Sequence, residues 1–345
     1  MRKSLKDISW QVDEETYRAD EAYSYSTIAK FHREGFEKLS SLYDKVDSPS
    51  LRWGSALDTL LTDGEKEFNK RFTVACFPDI PDSQINVIKT IFKNTEGKPW
   101  KELKANDFSS AIDECKFQPN WRPETRVKVL KENGEQYYNL MVLASGKTIL
   151  TSEEYNDVIT CVDLLKTSDA TKWYFQEDNP FDDSIERLYQ LKFKGEYEDI
   201  SLRIMADLIV VNHDTKEIIP CDLKSTKSII TFNNSFYKWC YYIQAQLYTY
   251  ILQQVIKQDS YFKDFKIKSY KFIAIDRHLK QPVVFDYSDN FREVSLVDDC
   301  GITHENWRTI VKDLDWYIKN PNCFLPKNMW EEFNQNFEVK IKKYE

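Results

Sequence analysis

Along the first 75 residues the apolar positions recur at helical spacing. In SYSTIAKFHREGFEKLSSLY, Ile28, Phe31, Phe36 and Leu39 follow Ser24 or Ser26, either of which suits an N-cap. A second helix is predicted through WGSALDTLLTDGEKEF, with Ala56, Leu57, Leu60 and Leu61 on its apolar face. From Cys76 to Leu150 the pattern is broken by Pro78, Pro81, Pro99, Pro119 and Pro123, which predicts several short helices and carries no motif with evident chemistry. Two further helices are expected at Ser152–Thr167 and Asp169–Gln176.

Near Tyr189 the character changes. YQLKFKGEYE alternates, and RIMADLIVV and IIPCDLKS are near-continuous apolar runs separated by the turn signal NHDTKE. Continuous apolar strands are covered on both faces. A long helix is predicted from about Ser235 to Lys257, then a strand pair, SYKFIAIDR and PVVFDY, around HLKQ, and a last helix within HENWRTIVKDLDWYI. Strands in the middle with helices before, between and after them predict an α/β or α+β layer architecture around one mixed sheet.

Composition narrows the class. The 345 residues carry 48 basic and 56 acidic side chains, a net charge of −8, with 9 Trp, 20 Tyr and 21 Phe, so a disordered acidic chain is excluded and a sizeable core is affordable. The acidic balance disfavours a protein that coats nucleic acid and leaves room for an enzyme with a local basic patch. No apolar run approaches the roughly 18 residues of a membrane span, and no apolar segment follows the early positive charges, so a cytoplasmic location is expected. Seven scattered cysteines without a C-x-x-C pair predict reduced, mostly buried thiols and neither zinc nor an iron–sulfur cluster. The four histidines show no ligand spacing, and KIKKYE ends the chain as a short basic tail.

The chemistry concentrates in the apolar hairpin. Ionised carboxylates in a buried strand are costly unless paired or metal-bound, yet Asp207 sits in RIMADLIVV, and Asp222 and Lys224 in IIPCDLKST. If the chain reverses about the Asp214–Thr215 bond, opposing positions sum to 429, and Asp207 faces Asp222 with Cβ atoms roughly 4.5 to 5.5 Å apart. Lys224 shares that face, since strands have period 2. A turn of odd length would instead put the two aspartates on opposite faces. Oxygen ligands suit Mg²⁺ or Mn²⁺, and a neighbouring lysine can stabilise charge on a phosphate. From the spacing alone, a buried Asp-Lys-Asp ion cluster accounts for the pattern as well as a metal site does. On the following helix Gln244 and Tyr248, four residues apart, face one way.

ADLIV, CDLKST and YYIQAQLY, in that order, resemble the PD-(D/E)XK nuclease superfamily, in particular its RecE/RecB-type exonuclease branch with a Q-x-x-x-Y helix. The resemblance covers about Tyr189 to Tyr287. Upstream, SYSTIAKF is similar to the start of that branch, and WGSALDTLL is similar to its G-x-x-x-H helix with Asp58 where a His is common. The resemblance implies a restriction-endonuclease-like α/β core with a central mixed β-sheet flanked by helices. The chain is then one nuclease domain of 345 residues: N-terminal helices (1–75), an inserted segment (76–150), a catalytic core (151–290) and C-terminal helices (291–345). It implies that Asp207 and Asp222 bind metal with the Leu223 carbonyl as a main-chain ligand, that Lys224 is the catalytic lysine, and that Gln244 and Tyr248 line the site. Asp58 is a further metal-ligand candidate, as is Glu186, for which a surface helix charge is the alternative. Arg203, Lys227 and Lys238 are candidates for phosphate contacts. Tyr237, Trp239, Tyr241 and Tyr242 could stack on bases, with core packing the better expectation.

The implied function is an Mg²⁺-dependent deoxyribonuclease, with Mn²⁺ able to substitute. It would be an exonuclease resecting double-stranded DNA ends in recombination or replication, in a host cytoplasm if phage-encoded. A single-strand annealing protein and further copies of the chain are the expected partners. A structure-specific or restriction-type endonuclease, or an inactive DNA-binding scaffold of the same fold, are the alternatives.

Overall fold

The computed structural model describes residues 2–44, 48–178, 181–337 and 339; the KIKKYE tail lies outside them. In chain order the principal elements are α1 (Glu14–Ala19), α2 (Tyr25–Glu34), α3 (Pro49–Thr62), α4 (Gly64–Arg71), β1 (Phe72–Val74), α5 (Asp82–Asn94), α6 (Ala105–Glu114), α7 (Pro123–Leu143), β2 (Thr148–Leu150), α8 (Ser152–Thr167), α9 (Lys172–Phe175), β3 (Ile185–Tyr197), β4 (Ile200–Asn212), β5 (Glu217–Thr226), α10 (Phe232–Lys238), α11 (Tyr241–Gln258), β6 (Lys266–Ile267), β7 (Tyr270–Asp276), β8 (Val283–Tyr287), β9 (Leu296–Val297), β10 (Thr303–His304), α12 (Trp307–Lys319) and α13 (Lys327–Asn336). This is a mixed α/β architecture. Among the described residues, no helix is long and apolar enough to cross a membrane.

The chain divides into two compact units, residues 1–47 with 161–345, and residues 48–160. The second unit contains the whole 76–150 segment and extends beyond it on both sides, taking in α3 and its Asp58. Its core joins Val87, Ile88 and Ile91 of α5 with Phe108 and Ile112 of α6 and Leu130 and Tyr138 of α7. α7 has 21 residues, so the expectation of short helices fails here. Pro123 stands in its first turn, where the missing N–H costs nothing. The helix predicted over WGSALDTLLTDGEKEF is two helices, because Gly64, which opens α4 just after α3 ends, adopts a left-handed φ of +81°.

The first unit is built on a sheet of order β3-β4-β5-β7-β8, with β6 alongside the start of β5. β3, β4 and β5 form an antiparallel meander, β5 and β7 run parallel, and β7 and β8 are antiparallel. The parallel step requires a crossover, which α10 and α11 supply. α11 is buried on nearly every side, from Tyr242 to Ile256, so it is a core helix. Gly195 of β3 lets it approach: a Cβ there would lie 2.6 Å from Gln254 Oε1 and 3.1 Å from Ile251 Cγ1. Ser24 caps α2, its hydroxyl accepting from the Thr27 amide at 3.4 Å.

The single helix expected from Ser235 to Lys257 is interrupted. Cys240, buried and in the left-handed region at φ +60°, ψ +41°, ends α10 and starts α11. The Trp239 carbonyl freed at the break accepts from the Tyr25 hydroxyl at 2.7 Å. A new helix therefore begins at Tyr241, three residues before Gln244.

Candidate functional site

The β4–β5 register pairs Leu208 with Cys221, Ile209 with Pro220 and Asn212 with Glu217, each pair summing to 429. The predicted register is thus the observed one, but the ladder stops one pair short of Asp207 and Asp222. On its other edge β5 pairs with β7 from Cys221 to Thr226. The Asp207 carboxylate substitutes for the missing rung: its Oδ2 accepts from the Leu223 amide at 3.0 Å.

The β3 side is interrupted at the same residue. Tyr189 pairs with Leu208 and Leu191 with Ala206, while Gln190, which would face Asp207, has a left-handed φ of +53°. Both strands change parity there. Ala206 and Ile209 pack in the same core cluster, as do Leu191 and, at its edge, Leu188. Regular alternation would place each of those pairs on opposite faces. Asp207 thus stands where the sheet switches face and where both ladders lack a pair.

Asp222 is 1% exposed. Its Oδ2 lies 2.5 Å from Lys224 Nζ, although that oxygen has no hydrogen bond of acceptable geometry. Its Oδ1 accepts from Gln244 Nε2, and Gln244 Oε1 accepts from Lys224 Nζ at 3.0 Å. The Gln244 amide therefore bridges the carboxylate and the ammonium, using its donor on one and its acceptor on the other. Lys224 Nζ also lies 4.4 Å from the centre of the Tyr241 ring, which stacks on Phe272. Burial works against the charge on Lys224, but Asp222, Tyr241 and Asp207 outweigh it, so its pKa is raised and the ammonium persists. Burial pushes the hydroxyls of Tyr248 and Tyr270 well above their usual range, and the charges of Asp222 and Asp207 add to the shift. Tyr248 beside Gln244 therefore stays a neutral phenol.

The structure therefore brings together Asp207, Asp222, Leu223, Lys224, Gln244 and Tyr248. Within the same unit it holds Glu186 elsewhere. Glu186 lies on a strand, not on a surface helix, opposite Val211. Its carboxylate accepts from Ser4 Oγ and the Leu5 amide and lies 3.6 Å from His213 Nε2, away from the Asp207 end of β4. Asp58 is on α3 in the unit of residues 48–160, half-buried, its carbonyl accepting from Thr62 Oγ1 at 3.0 Å.

Arg203 was expected at phosphates, but it is 9% exposed and its guanidinium donates to the carbonyls of Tyr17, Asp20 and Arg18. It satisfies the carbonyls that α1 leaves open at its C-terminus. Lys227 and Lys238 are exposed, Lys238 with Nζ 5.1 Å from the centre of the Trp239 ring. Of the aromatic residues, Tyr242 is core, Tyr237 stacks on His304 at 4.5 Å, and Trp239, 42% exposed, lies beneath Arg33. Tyr241 contacts Lys224, a role that no local signal announced. Gln190 was also missed, and only its place opposite Asp207 in the register could have drawn attention to it.

Among the described residues no three His, Cys, Asp or Glu side chains form a metal-binding group. The donors available for a cation are two carboxylates and the Leu223 carbonyl. That set suits Mg²⁺, which commonly takes one or two carboxylates and completes its shell with water and phosphate oxygens. It does not suit zinc.

No family model matches the chain, and no curated protein does. Among solved structures it is similar to a protein from Eubacterium rectale provisionally named an exonuclease, at 14% identity and a TM-score of 0.47, over 97% of each chain. Similarity at that level leaves the reading of the site to its own geometry.

Proposed function

We propose that the chain is an Mg²⁺-dependent deoxyribonuclease with a PD-(D/E)XK-type, restriction-endonuclease-like core, acting as an exonuclease on double-stranded ends. The observation that carries this reading is the convergence of Asp207, Asp222, Lys224 and Gln244 at the point where β4 and β5 part. Asp207, Asp222 and the Leu223 carbonyl would hold the ion. When bound, Mg²⁺ supplies Lewis-acid polarisation of the phosphate and a more acidic water.

The remaining work falls to the chain. Lys224, kept charged by its neighbours, donates to a non-bridging phosphate oxygen and stabilises the charge that grows there. Gln244 fixes the ammonium's direction and keeps Asp222 Oδ1 occupied, which leaves Oδ2 as the oxygen facing the ammonium and the ion. Tyr241 and Tyr248 exclude bulk water on the α11 side, which strengthens each of these interactions. The Q-x-x-x-Y helix is the feature that favours the RecE/RecB-type branch.

A second reading has its own observation: the 2.5 Å contact between Lys224 and Asp222 is what a purely structural ion pair would show. Buried pairs stabilise a fold little compared with apolar residues of the same volume, so structure alone is a weak reason for this cluster. End-labelled linear duplex and closed circular duplex, incubated with Mg²⁺ or with EDTA, test the proposal. Loss of label from linear DNA only, abolished by EDTA and by Lys224→Ala with the fold retained, is the expected result. Cleavage of circles would make the enzyme an endonuclease with the same residues, and equal cleavage by Lys224→Ala would remove the mechanism.

A further inference from the structure

Beyond Lys224 the sheet presents a second buried carboxylate. Register pairs Lys224 with Ala274 and Thr226 with Asp276, so at about 3.3 Å per residue Asp276 lies on the same face roughly 7 Å further along. It is 1% exposed, and backbone amides occupy it. Oδ2 accepts from Ile229 at 3.1 Å, and Oδ1 accepts from His278 at 2.8 Å and from Leu279.

Ile229 belongs to the connection leaving β5, residues 227–231, and the other two to the β7–β8 connection, residues 277–282. An ordinary aspartate turn explains the bonds to His278 and Leu279, two and three residues on. It does not explain Ile229, 47 residues away. One carboxylate ties together the two connections that leave the sheet beside the site.

Their composition departs from that of the chain. In a protein of net charge −8 these two segments carry Lys227, Arg277, His278 and Lys280 and no acidic residue. They also hold out two aliphatic side chains, Ile230 at 81% and Leu279 at 59% exposure. Cations beside exposed aliphatic groups match a polyanion that also offers apolar faces, which is the chemistry of nucleic acid with opened bases. A strand rises about 3.4 Å per nucleotide, so DNA with a phosphate at Lys224 would reach this rim within about two nucleotides.

We propose that the tied connections form a nucleic-acid contact surface. In it Ile230 and Leu279 pack against bases at an opened duplex end, while Lys227, Arg277 and Lys280 face the phosphates. The inference rests on the nuclease reading and names where its substrate lies.

The test is fluorescence anisotropy of a labelled duplex with three unpaired terminal nucleotides, with Ca²⁺ replacing Mg²⁺ to hold cleavage back, over a series of salt concentrations. The proteins compared are the full native chain, Lys227→Ala/Lys280→Ala and Ile230→Ser/Leu279→Ser, each checked by thermal melting; Lys227, Ile230 and Leu279 are exposed and Lys280 is half-buried. Removing two phosphate contacts should make the slope of log K against log salt shallower by about 1.4 to 1.8. The aliphatic variant should bind roughly tenfold more weakly, the effect of losing a few buried methyl groups, with its salt slope unchanged. An unchanged slope in the first variant, or unchanged affinity in the second, overturns the contact surface.

Parallel cleavage assays keep the two ideas apart. If the native chain cuts DNA in a Lys224-dependent way and the rim variants bind normally, only the rim proposal falls. If Lys224→Ala cuts as the native chain does, the nuclease mechanism falls. A native chain that binds no DNA overturns both.

Discussion

Lys224→Met removes the ammonium and keeps most of the side-chain volume. Asp222, 1% exposed, would retain the Gln244 Nε2 donor but lose the cation 2.5 Å from its Oδ2. Stripping one partner from a buried pair costs about 3–5 kcal/mol, because the remaining charge stays desolvated. The Lys224 side chain is 15% exposed, so water reaches its end of the pair and the lower figure, about 3 kcal/mol, is expected. At about 2–4 °C per kcal/mol for a domain of this size, the unit carrying the sheet should melt roughly 6–12 °C lower in EDTA. Asp222→Leu/Lys224→Met should recover most of that loss, since no buried charge remains. Mn²⁺ supplies the decisive contrast. A cation present at a hundredfold excess over its dissociation constant stabilises by about 2.7 kcal/mol, so Mn²⁺ should raise the native melting temperature and raise that of Lys224→Met further, the ion replacing the lost ammonium. Calorimetry of the three proteins, with and without Mn²⁺, reads every term. A loss in Lys224→Met below about 1 kcal/mol, the range of an exposed pair, would refute the buried-pair argument, and no response to Mn²⁺ in either protein would refute the cation site.

Arg203→Ala should lower stability by about 2–3 kcal/mol, as charged hydrogen bonds to the α1 carbonyls are lost, and leave DNA affinity unchanged; urea melts and anisotropy measure the two. Cys76 and Cys300 are exposed and should react first with a thiol reagent, whereas Cys161, Cys221 and Cys240 are buried and should wait for unfolding; burial also pushes the Cys221 and Cys240 thiols up, keeping them protonated. Mass spectrometry of the alkylated native chain gives the order. Asp298 accepts from His304 Nε2 at 3.0 Å and from the Cys300 and Ile302 amides at 2.9 Å, which together hold its carboxyl below the usual value. A depressed carboxyl stabilises the fold above its unfolded pKa, so the advantage of the native chain over Asp298→Asn should be constant above about pH 4 and shrink as pH falls below it. Denaturant midpoints across that range provide the check.

The three strands and the hairpin register could be read from sequence because the signals were local. N-H-D-T-K-E marks the turn, and period 2 then carries the pairing to Cys221. Helix spacing put Gln244 and Tyr248 on one side of their helix, but only the resemblance to a Q-x-x-x-Y helix placed them at the site. What escaped depends on contacts between distant segments. Nothing in Y-K-W-C-Y-Y announces a left-handed Cys240, since the residue is neither Gly nor Asn; the break is held by Tyr25, more than two hundred residues earlier in the chain. Arg203 looks like a phosphate ligand in a one-dimensional reading and becomes a helix cap only when α1 folds against β4. The matched irregularities at Gln190 and Asp207 are invisible in either strand alone, because each sequence remains compatible with a regular ladder.

Those irregularities bear directly on how the site can work. A regular β4 would place the Asp207 side chain within an intact ladder, where Leu223 would donate to a backbone carbonyl. With both ladders interrupted, the Asp207 carboxylate takes the Leu223 amide instead, and it shares the site with Asp222 and Lys224. With both carboxylates ionised and the ammonium charged, these three residues carry a formal sum of −1. Adding one divalent cation brings the sum to +1, opposite in sign to a single phosphodiester. A left-handed non-glycine residue such as Gln190 costs of the order of 1–3 kcal/mol, and on the proposed reading that strain serves to open the sheet at the residue where the cation is needed.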